Sequence, residues 1–255
     1  MSDITTAARI VDDAARNATE IPQFSDSRAL TIDEAYAIQA LSLQRRYARG
    51  ERRIGMKMGL TSRAKMVQVG VQDMIWGRLT DAMRREEGGT VSLSDFIHPR
   101  AEPEIAFLMM APLSGAVSAA EAMAAVAAVA PAIEIIDSRY ADFKFDVGDV
   151  IADNSSSSAF VLGTWADPAT DISNLGILLN VDGRLREVGS TAAILGHPVR
   201  SLVAAARMVA ERGERLEAGD IVLAGGATAA IAMAPGQAVS LEMQGLGFVT
   251  FNVKA

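Results

Sequence analysis

Two apolar runs flank the dipeptide Asp182-Gly183, and this feature restricts the fold of the 255-residue chain more than any other. A two-residue type I′ hairpin turn needs positive φ at both central positions, which Asp-Gly adopts readily. Residues 175–181 and 184–188 are therefore predicted to form an antiparallel pair. Elsewhere, capping-box patterns predict helices between the strands. Hairpins mixed with helical crossovers favour a mixed sheet of the α+β class over a doubly wound parallel sheet.

Helical signals dominate the first fifty residues. Apolar residues at helical spacing predict a helix over residues 2–19, until a proline breaks it. The capping box at residues 31–34 (TIDE) opens a second helix, which runs to about residue 49. We expect a small helical N-terminal region, residues 1–52, followed by a mixed-sheet catalytic domain, residues 53–255.

The later elements follow from alternation, apolar runs and turn residues. A helix is predicted from residue 118 to about 129, ended by Pro131, with a buried strand over residues 132–136 after it. A further helix is predicted over residues 198–211. The remaining predicted strands cover residues 54–58, 103–110, 155–162, 175–181, 184–188, 221–223, 238–243 and 248–253.

Charge and composition exclude several classes of function. The 31 acidic residues against 24 Lys and Arg give a net charge of −7, which is the wrong balance for binding nucleic acid. The sequence has no cysteine, so disulfides, thiolate metal sites and cysteine nucleophiles are excluded. There is no signal-peptide pattern, and the alanine-rich run 119–132 is too short to span a bilayer. We expect a soluble, cytoplasmic protein with neither nucleic acid nor membrane as a partner.

Glu102 and Glu104 flank a proline at the start of an apolar strand. Side chains at positions i and i+2 of a strand share a face, so the two carboxylates lie side by side. They repel each other unless a cation lies between them. Two solvated glutamates at a strand end are the alternative, and the pair taken alone favours it.

Glu134 changes this balance because it lies inside the apolar segment 131–136 (PAIEII). A charged residue in such a strand is rarely buried without a partner or a metal. Together with Glu102 and Glu104 it makes an oxygen-only ligand set, which suits Mg²⁺ or Mn²⁺ and disfavours zinc or copper. The alternative for Glu134 is a buried salt bridge to an arginine such as Arg139.

Lys57 lies between two methionines in the glycine-flanked segment 55–62 (GMKMGLTS). In an apolar cleft, desolvation lowers the pKa of a lysine and makes proton transfer easier. An ordinary strand lysine facing water fits the pattern equally well. Thr61 and Ser62 either supply donors to a ligand carboxylate or cap a following helix.

Two loops carry residue types that can bind a small acid. The segment 153–158 (DNSSSS) suits a carboxylate or a carbonyl, although such clusters are more often plain loops. Gly225 and Gly226 permit close backbone approach to a ligand, but glycines also make ordinary turns. No Gly-Lys-Ser/Thr follows them, so they do not form a nucleotide loop. Neither histidine has a Ser or Asp partner at a recognisable spacing, so a hydrolase triad is unsupported.

Taken in order, these segments resemble the hydratase/decarboxylase branch of the fumarylacetoacetate hydrolase superfamily. The resemblance covers nearly the whole chain and implies a mixed-sheet body of the superfamily's C-terminal type. The histidine base of the more distant fumarylacetoacetate hydrolases is missing, which argues against C–C bond hydrolysis. The matching segments are 55–62 (GMKMGLTS), 102–107 (EPEIAF), 132–139 (AIEIIDSR), 150–155 (VIADNS), 195–198 (LGHP) and 243–247 (MQGLG).

The resemblance also implies roles for single residues. Glu102, Glu104 and Glu134 are implied to ligate Mg²⁺ or Mn²⁺. Lys57 is implied to be the catalytic residue at the substrate. The residues implied to bind the substrate are Leu60, Thr61, Ser62, Ile75, Trp76, Asn154 and Ser155.

Within the branch, the segment 71–83 (VQDMIWGRLTDAM) is similar to the decarboxylases. The sister hydratases typically have an aspartate, proposed to help position the attacking water, where this chain has Ile75 followed by Trp76. An apolar wall suits a reaction that needs no water nucleophile. The resemblance therefore implies metal-dependent decarboxylation of 2-oxo-3-hexenedioate, a small 2-oxo dicarboxylate, to 2-hydroxypenta-2,4-dienoate in the meta-cleavage catabolism of aromatic compounds.

Three alternatives stay open. The chain could be the sister 2-oxopent-4-enoate hydratase, a non-catalytic subunit that stabilises that hydratase, or a related 2-oxo acid lyase or isomerase. Ile75 argues against the hydratase, and the intact ligand set with Lys57 argues against a purely structural role. The resemblance further implies a homo-oligomer that associates with the hydratase.

Overall fold

The computed structural model describes residues 4–63, 66–67 and 73–255, so Val71 and Gln72 of the segment 71–83 lie outside the described residues. The helices are α1 (Ile4–Asn17), α2 (Ile32–Ala48), α3 (Ala119–Ala124), α4 (Val147–Ala152) and α5 (Pro198–Ala210). The strands are β1 (Arg53–Gly59), β2 (Ile75–Thr80), β3 (Arg84–Arg85), β4 (Thr90–Ser92), β5 (Arg100–Met109), β6 (Val126–Ile136), β7 (Ser157–Leu162), β8 (Gly176–Val181), β9 (Arg184–Ser190), β10 (Ile221–Leu223), β11 (Ile231–Ala232), β12 (Ala238–Met243) and β13 (Gly247–Lys254).

Within the described residues, the strands form two sheets. The larger sheet has the order β2-β1-β10-β5-β6-β7-β3, and β11 pairs with β5. The smaller sheet has the order β4-β13-β12-β8-β9. Parallel pairs (β1 with β10, β3 with β7, β4 with β13) occur beside antiparallel ones, so both sheets are mixed. The predicted α+β fold, with helices first and mixed sheets after them, is confirmed.

The N-terminal helices are held together by a buried charge. Asp12 of α1 is 1% exposed, and its carboxylate accepts hydrogen bonds from Arg45 at 2.7 Å and from Arg49 at 2.7 and 2.6 Å. Such charge-assisted bonds offset the cost of burying the aspartate. The predicted capping box at the start of α2 is present, with Thr31 and Glu34 as its two members. In the described part of the chain, no helix has the length and apolarity that a membrane span requires.

The Asp182-Gly183 hairpin is confirmed. The two residues have φ values of 53° and 70°, as a type I′ turn requires, and they join β8 to β9. This pair forms one edge of the smaller sheet.

One predicted element is wrong. The helix expected from residue 118 to about 129 ends at Ala124, and residues 126–131 already belong to β6. Pro131 lies inside that strand, opposite Ile105 of β5. Alanine favours helix locally, but pairing with β5 on one side and burial of the apolar side chains outweigh a propensity of a few tenths of a kcal/mol per residue.

The close approach of β1 and β10 requires a glycine. A Cβ at Gly55 would overlap the carbonyl oxygen of Ile221, its partner in the parallel ladder. We predict that Gly55→Ala lowers the free energy of unfolding by about 2–4 kcal/mol, because the added methyl pushes the two strands apart. Gly176→Ala is the matched control, since a Cβ there first meets an atom at 3.4 Å. Its effect should stay within about 0.5 kcal/mol. Urea unfolding of both variants measures the difference, and equal stabilities would contradict the prediction.

Candidate active site

Three glutamates meet on one face of the larger sheet. Glu102 lies directly opposite Glu134 in the β5–β6 ladder, and Glu104 lies two residues further along β5. Opposed residues and i, i+2 residues share a face, so the register brings all three carboxylates together. Ligand oxygens of the three lie within 4.8 Å of one another. Glu104 and Glu134 are fully buried, and Glu102 is 9% exposed.

Lys57 reaches this cluster from β1. Lys57 is paired with Leu223 of β10, which is paired with Ala106 of β5. Ala106 lies two residues after Glu104, so Lys57 and Glu104 are on the same face of the sheet. Its Nζ lies 3.0 Å from Oε2 of Glu134 and donates to the carbonyl oxygen of Ser155 at 3.0 Å. The lysine predicted from its apolar neighbours is therefore buried within the carboxylate cluster.

The pKa of Lys57 shifts in the direction opposite to the one expected from the sequence. Burial alone disfavours the ammonium, but the three surrounding carboxylates outweigh it and raise the pKa above its ordinary value. In the metal-free protein Lys57 is therefore a cation at neutral pH, and the expectation of a lowered pKa is wrong. The apolar neighbours that suggested desolvation, Met56 and Met58, point to the other face of the sheet because side chains alternate along a strand.

The negative charges of Glu104 and Glu134 are only partly offset in the metal-free protein. Burial, and next the charge of Glu134, raise the pKa of Glu104 well above its usual range, and burial also raises the pKa of Glu134. Ser157 donates to Oε1 of Glu134 at 2.9 Å. Oε1 of Glu104 is buried and has no hydrogen-bond partner among the described residues. Buried carboxylate oxygens, one of them without a hydrogen-bond partner, are suitable ligands for a hard divalent cation such as Mg²⁺ or Mn²⁺.

Gly225 and Gly226 lie against the same carboxylates. The amide of Gly225 donates to Oε2 of Glu104 at 2.7 Å, and a Cβ at Gly226 would lie 2.8 Å from Oε2 of Glu102. Gly225 has φ of +105°, which a residue with a side chain rarely adopts. The sequence left this pair open between ligand approach and a plain turn. In the structure the pair lies in an irregular loop that supplies a backbone donor to the cluster.

A second unusual backbone segment holds Lys57. Asn154, Ser155 and Ser156 have φ values of 50°, 54° and 58°, and we call these three residues the left-handed turn. Three consecutive residues with side chains in this region are costly unless the surroundings hold them. Oδ1 of Asn154 accepts from the amide of Arg78 at 2.8 Å, and its Nδ2 donates to the Arg78 carbonyl at 2.9 Å.

The side chain of Ser155 completes this anchorage. Its Oγ donates to the carbonyl oxygen of Trp76 at 2.8 Å. The side chains of Asn154 and Ser155 are thus bound to the backbone of β2, and the group turned toward Lys57 is the Ser155 carbonyl. Binding of the substrate by Asn154 and Ser155 stays a prediction. In the structure, the part of the turn that contacts Lys57 is the backbone.

Arg139 does not pair with Glu134, so that alternative is wrong. Its guanidinium is 4% exposed and forms an ion pair with Asp153, with further bonds to the Asp153 carbonyl and to Ser158. The partner of Glu134 is Lys57. Arg139 instead anchors the residue that precedes the left-handed turn.

Ile75 and Trp76 lie on opposite faces of β2. Ile75 is opposite Gly59 and shares the face of Lys57, and it is 4% exposed. The Trp76 ring stacks on Tyr36 of α2, with ring centroids 5.2 Å apart. Because adjacent residues of a strand alternate between faces, the Trp76 ring lies on the face opposite Lys57, and its contact with substrate stays a prediction. The carbonyl of Trp76 accepts a hydrogen bond from Ser155.

The segment after β1 also reaches the cluster. Thr61 is 2% exposed, and a Cβ at Gly225 would overlap its side chain. Its carbonyl oxygen accepts from the amide of Leu195 at 3.0 Å. Leu60, with φ of 56°, and Ser62 flank it and are half-buried. Thr61 thus packs against Gly225, whose amide binds Glu104, whereas substrate contacts of all three residues stay predictions.

Comparison with known proteins adds independent support. The family model described as "Fumarylacetoacetate (FAA) hydrolase C-terminal" matches residues 52–254. A "4-oxalocrotonate decarboxylase" of a Pseudomonas species is 55% identical over 98% of this chain and 97% of its own. A "2-hydroxyhexa-2,4-dienoate hydratase" of Comamonas testosteroni is 34% identical over 97% of both chains.

Solved structures agree with this pattern. The "4-oxalocrotonate decarboxylase from Pseudomonas putida G7", complexed with magnesium and adipate, has a TM-score of 0.95 and 40% identity, covering 98% of this chain and 97% of its own. The same enzyme complexed with calcium and acetate has a TM-score of 0.94. The fold and length of this chain therefore match those of a protein solved with a divalent ion and a small carboxylic acid.

We predict that Glu104→Gln abolishes stabilisation by metal without harming the metal-free fold. The substitution removes a carboxyl group whose ionised form is disfavoured by burial and by Glu134, so the metal-free melting temperature should stay equal or rise. Wild-type protein should gain about 2.7 kcal/mol at Mg²⁺ or Mn²⁺ concentrations of about 100 times Kd, and the variant should gain almost nothing. Thermal melts with and without metal measure both effects. Glu242→Gln, at an exposed position of β12, is the control and should respond to metal like the wild type. A normal metal response in Glu104→Gln would refute the ligand assignment.

Proposed function

Because this chain belongs to the fumarylacetoacetate hydrolase family, we propose that it is a metal-dependent carboxy-lyase acting on 2-oxo-3-hexenedioate, also called 4-oxalocrotonate. The products are 2-hydroxypenta-2,4-dienoate and CO2, in the meta-cleavage catabolism of aromatic compounds. The observation that carries the proposal is the buried cluster of Glu102, Glu104 and Glu134 with Lys57 beside it. The decarboxylase relatives, which are 55% and 41% identical, support the choice of substrate.

The reaction needs a sink for one electron pair. When the C5–C6 bond of the substrate breaks, CO2 leaves, C4 and C5 become doubly bonded, and the C3–C4 double bond moves to C2–C3. The π electron pair of the C2 ketone moves onto its oxygen, and protonation of that oxygen gives the dienol. Glu102, Glu104 and Glu134 would hold a divalent ion, which would supply a Lewis acid for this developing charge. The carboxylates themselves provide an oxygen-only set that a 2-oxo acid can complete.

Lys57 is the cation that the chain itself brings to the site. An ammonium has three N–H donors, of which two meet Glu134 and the Ser155 carbonyl. We propose that the third faces the substrate, where it either orients a carboxylate or gives a proton to the enolate oxygen. In the metal-free protein the three carboxylates raise the pKa of Lys57, so the chain brings this group to the site in the protonated form that both roles need.

Ile75 distinguishes this reaction from hydration. Its apolar side chain is buried on the face of Lys57, at the position where the sister hydratases typically have an aspartate. A hydrocarbon wall offers no acceptor to orient an attacking water, and it favours departure of neutral CO2 over retention of a carboxylate. Hydratase relatives that are 34–40% identical keep hydration as the alternative that Ile75 disfavours.

We also propose the setting in which the enzyme works. It acts in the cytoplasm as a homo-oligomer and associates with a 2-oxopent-4-enoate hydratase, which would consume its dienol product. The chemistry supports this association, since the product of one reaction is the substrate of the other. The similarity of the chain to hydratases along its length supports a shared mode of assembly.

We predict that CO2 release from 2-oxo-3-hexenedioate depends on bound metal. Removal of metal with a chelator should slow the reaction at least about 100-fold, because loss of the Lewis acid removes several kcal/mol of stabilisation. Added Mg²⁺ or Mn²⁺ should restore it. The assay follows CO2 and the dienol product, with 2-hydroxypenta-2,4-dienoate supplied separately as the test for hydration. Full activity after complete removal of metal would overturn the mechanism, and faster hydration than decarboxylation would make the protein a hydratase.

We predict that Lys57→Ala lowers kcat by about 10²–10⁴-fold while metal still binds. The variant loses the cation next to the substrate, but the three carboxylates remain and their attraction for a divalent ion increases. Calorimetric titration with Mn²⁺ and steady-state kinetics on the same preparation separate the two effects. A variant with unchanged kcat would remove Lys57 from the mechanism.

A further inference from the structure

Gln39 of α2 is a fully buried amide that reaches the strand and the helix beside the left-handed turn. Its Nε2 donates to the carbonyl oxygen of Trp76 at 3.1 Å and to that of Ile151 at 2.8 Å. Its Oε1 accepts from Nη1 of Arg78 at 2.5 Å. The nitrogen and the oxygen of the buried Gln39 amide are therefore both hydrogen-bonded, to residues of β2 and α4.

The two carbonyls that Gln39 binds belong to the elements on either side of the left-handed turn. Trp76 O is the same atom that accepts from Oγ of Ser155. Ile151 lies in the last turn of α4, and the chain passes from there through Asp153 directly into the turn. The Gln39 side chain therefore links β2, to which Ser155 of the turn is bound, with α4, which precedes the turn in the chain.

We propose that Gln39 is a positioning residue that holds the left-handed turn, and through it Lys57, in the geometry of the reaction. The proposal rests on the proposed role of Lys57. The turn places three residues with side chains at positive φ, a conformation that persists only when its surroundings hold it. Among the described residues, the Lys57 ammonium is bound by the Ser155 carbonyl and by Glu134, so a displaced turn removes the backbone partner and leaves the ion pair with Glu134.

The proposal makes α2 part of the active site, although every predicted ligand, catalytic and substrate residue lies after residue 56. The predicted boundary at residue 52 between the helical region and the sheet body then does not separate the active site from α2. The helical region then sets the position of a catalytic group in the sheet body instead of merely covering it. A buried glutamine that only stabilised the core would lower stability without a specific effect on turnover.

Leu43 provides the comparison that separates these roles. It lies one helical turn from Gln39 on the same helix and is 1% exposed, so Leu43→Ala lowers stability through a cavity. Gln39→Leu keeps the volume of the side chain and removes all three hydrogen bonds. Gln39→Glu keeps an acceptor for Arg78 and removes the amide donors, and it serves as the second variant if Gln39→Leu does not fold.

The first measurement is kinetic, on full-length protein with saturating Mg²⁺. Gln39→Leu should lower kcat for 2-oxo-3-hexenedioate by about 10–100-fold, as small displacements of a catalytic group do, with KM within about threefold of wild type. Leu43→Ala should keep the wild-type kcat at temperatures below its transition. Mn²⁺ affinity by calorimetry should stay within about threefold for both variants, because neither touches the carboxylates.

A double-mutant cycle tests whether Gln39 acts through the turn. Ser155→Ala removes the other bond to Trp76 O, so its effect on kcat and that of Gln39→Leu should be less than multiplicative when combined. Independent, fully multiplicative effects would overturn the proposal. An equal loss of kcat in Leu43→Ala and Gln39→Leu would overturn it as well.

Hydrogen exchange on the metal-free protein gives a readout that does not depend on the reaction. Amides of residues 150–158 should exchange faster in Gln39→Leu than in wild type, and at the wild-type rate in Leu43→Ala. A turn that exchanges equally in all three proteins refutes the role of Gln39. Wild-type protein that releases no CO2 refutes the proposed function instead, and the exchange result still decides whether Gln39 holds the turn.

Discussion

Repulsion between three buried carboxylates is the constraint around which the larger sheet is organised. Two unit charges about 4 Å apart interact by about 4 kcal/mol at the effective dielectric constant of a protein site. Oxygens of Glu102, Glu104 and Glu134 lie within 4.8 Å of one another, so their ionised forms repel in this way, and Lys57 supplies a compensating charge next to Glu134. β5 and β6 hold the cluster in an antiparallel ladder that begins two residues before Glu102, at Arg100, and continues past Glu104 to Met109.

Backbone groups supply much of what the side chains of the site lack. The amide of Gly225 binds Glu104, and the carbonyl of Ser155 binds Lys57. Both lie in loops with positive φ, where the chain turns its polar groups toward the interior. A peptide dipole adds no charge to titrate, so it orients the carboxylate or the ammonium without entering the acid–base chemistry.

The sequence allows the charged residues of the site to be predicted because strand geometry is local. The spacing of Glu102 and Glu104 places them on one face, and the apolar surroundings of Glu134 require a partner. Lys57 was identified for the wrong reason, since its methionine neighbours face away from it. The contribution of Gly225 and the partner of Arg139 depend on contacts between segments distant in the chain, and no local pattern encodes those. The strand over residues 126–131 was missed for the same reason, because pairing with β5 outweighs the helical preference of alanine.

Ile75 and Trp76 show how one strand serves both chemistry and architecture. Period-two alternation places the isoleucine on the face of Lys57 and the tryptophan on the face of α2, where its ring packs against Tyr36 and the guanidinium of Arg78. β2 lies at the edge of the sheet, so its position depends on this outer packing as well as on its ladder with β1. A change at Trp76 would therefore alter the reaction through the placement of Ile75 and of the carbonyl that receives Ser155. The residue that sets the apolar character of the site and the residue that fixes its position are neighbours in sequence because opposite faces of one strand perform the two tasks.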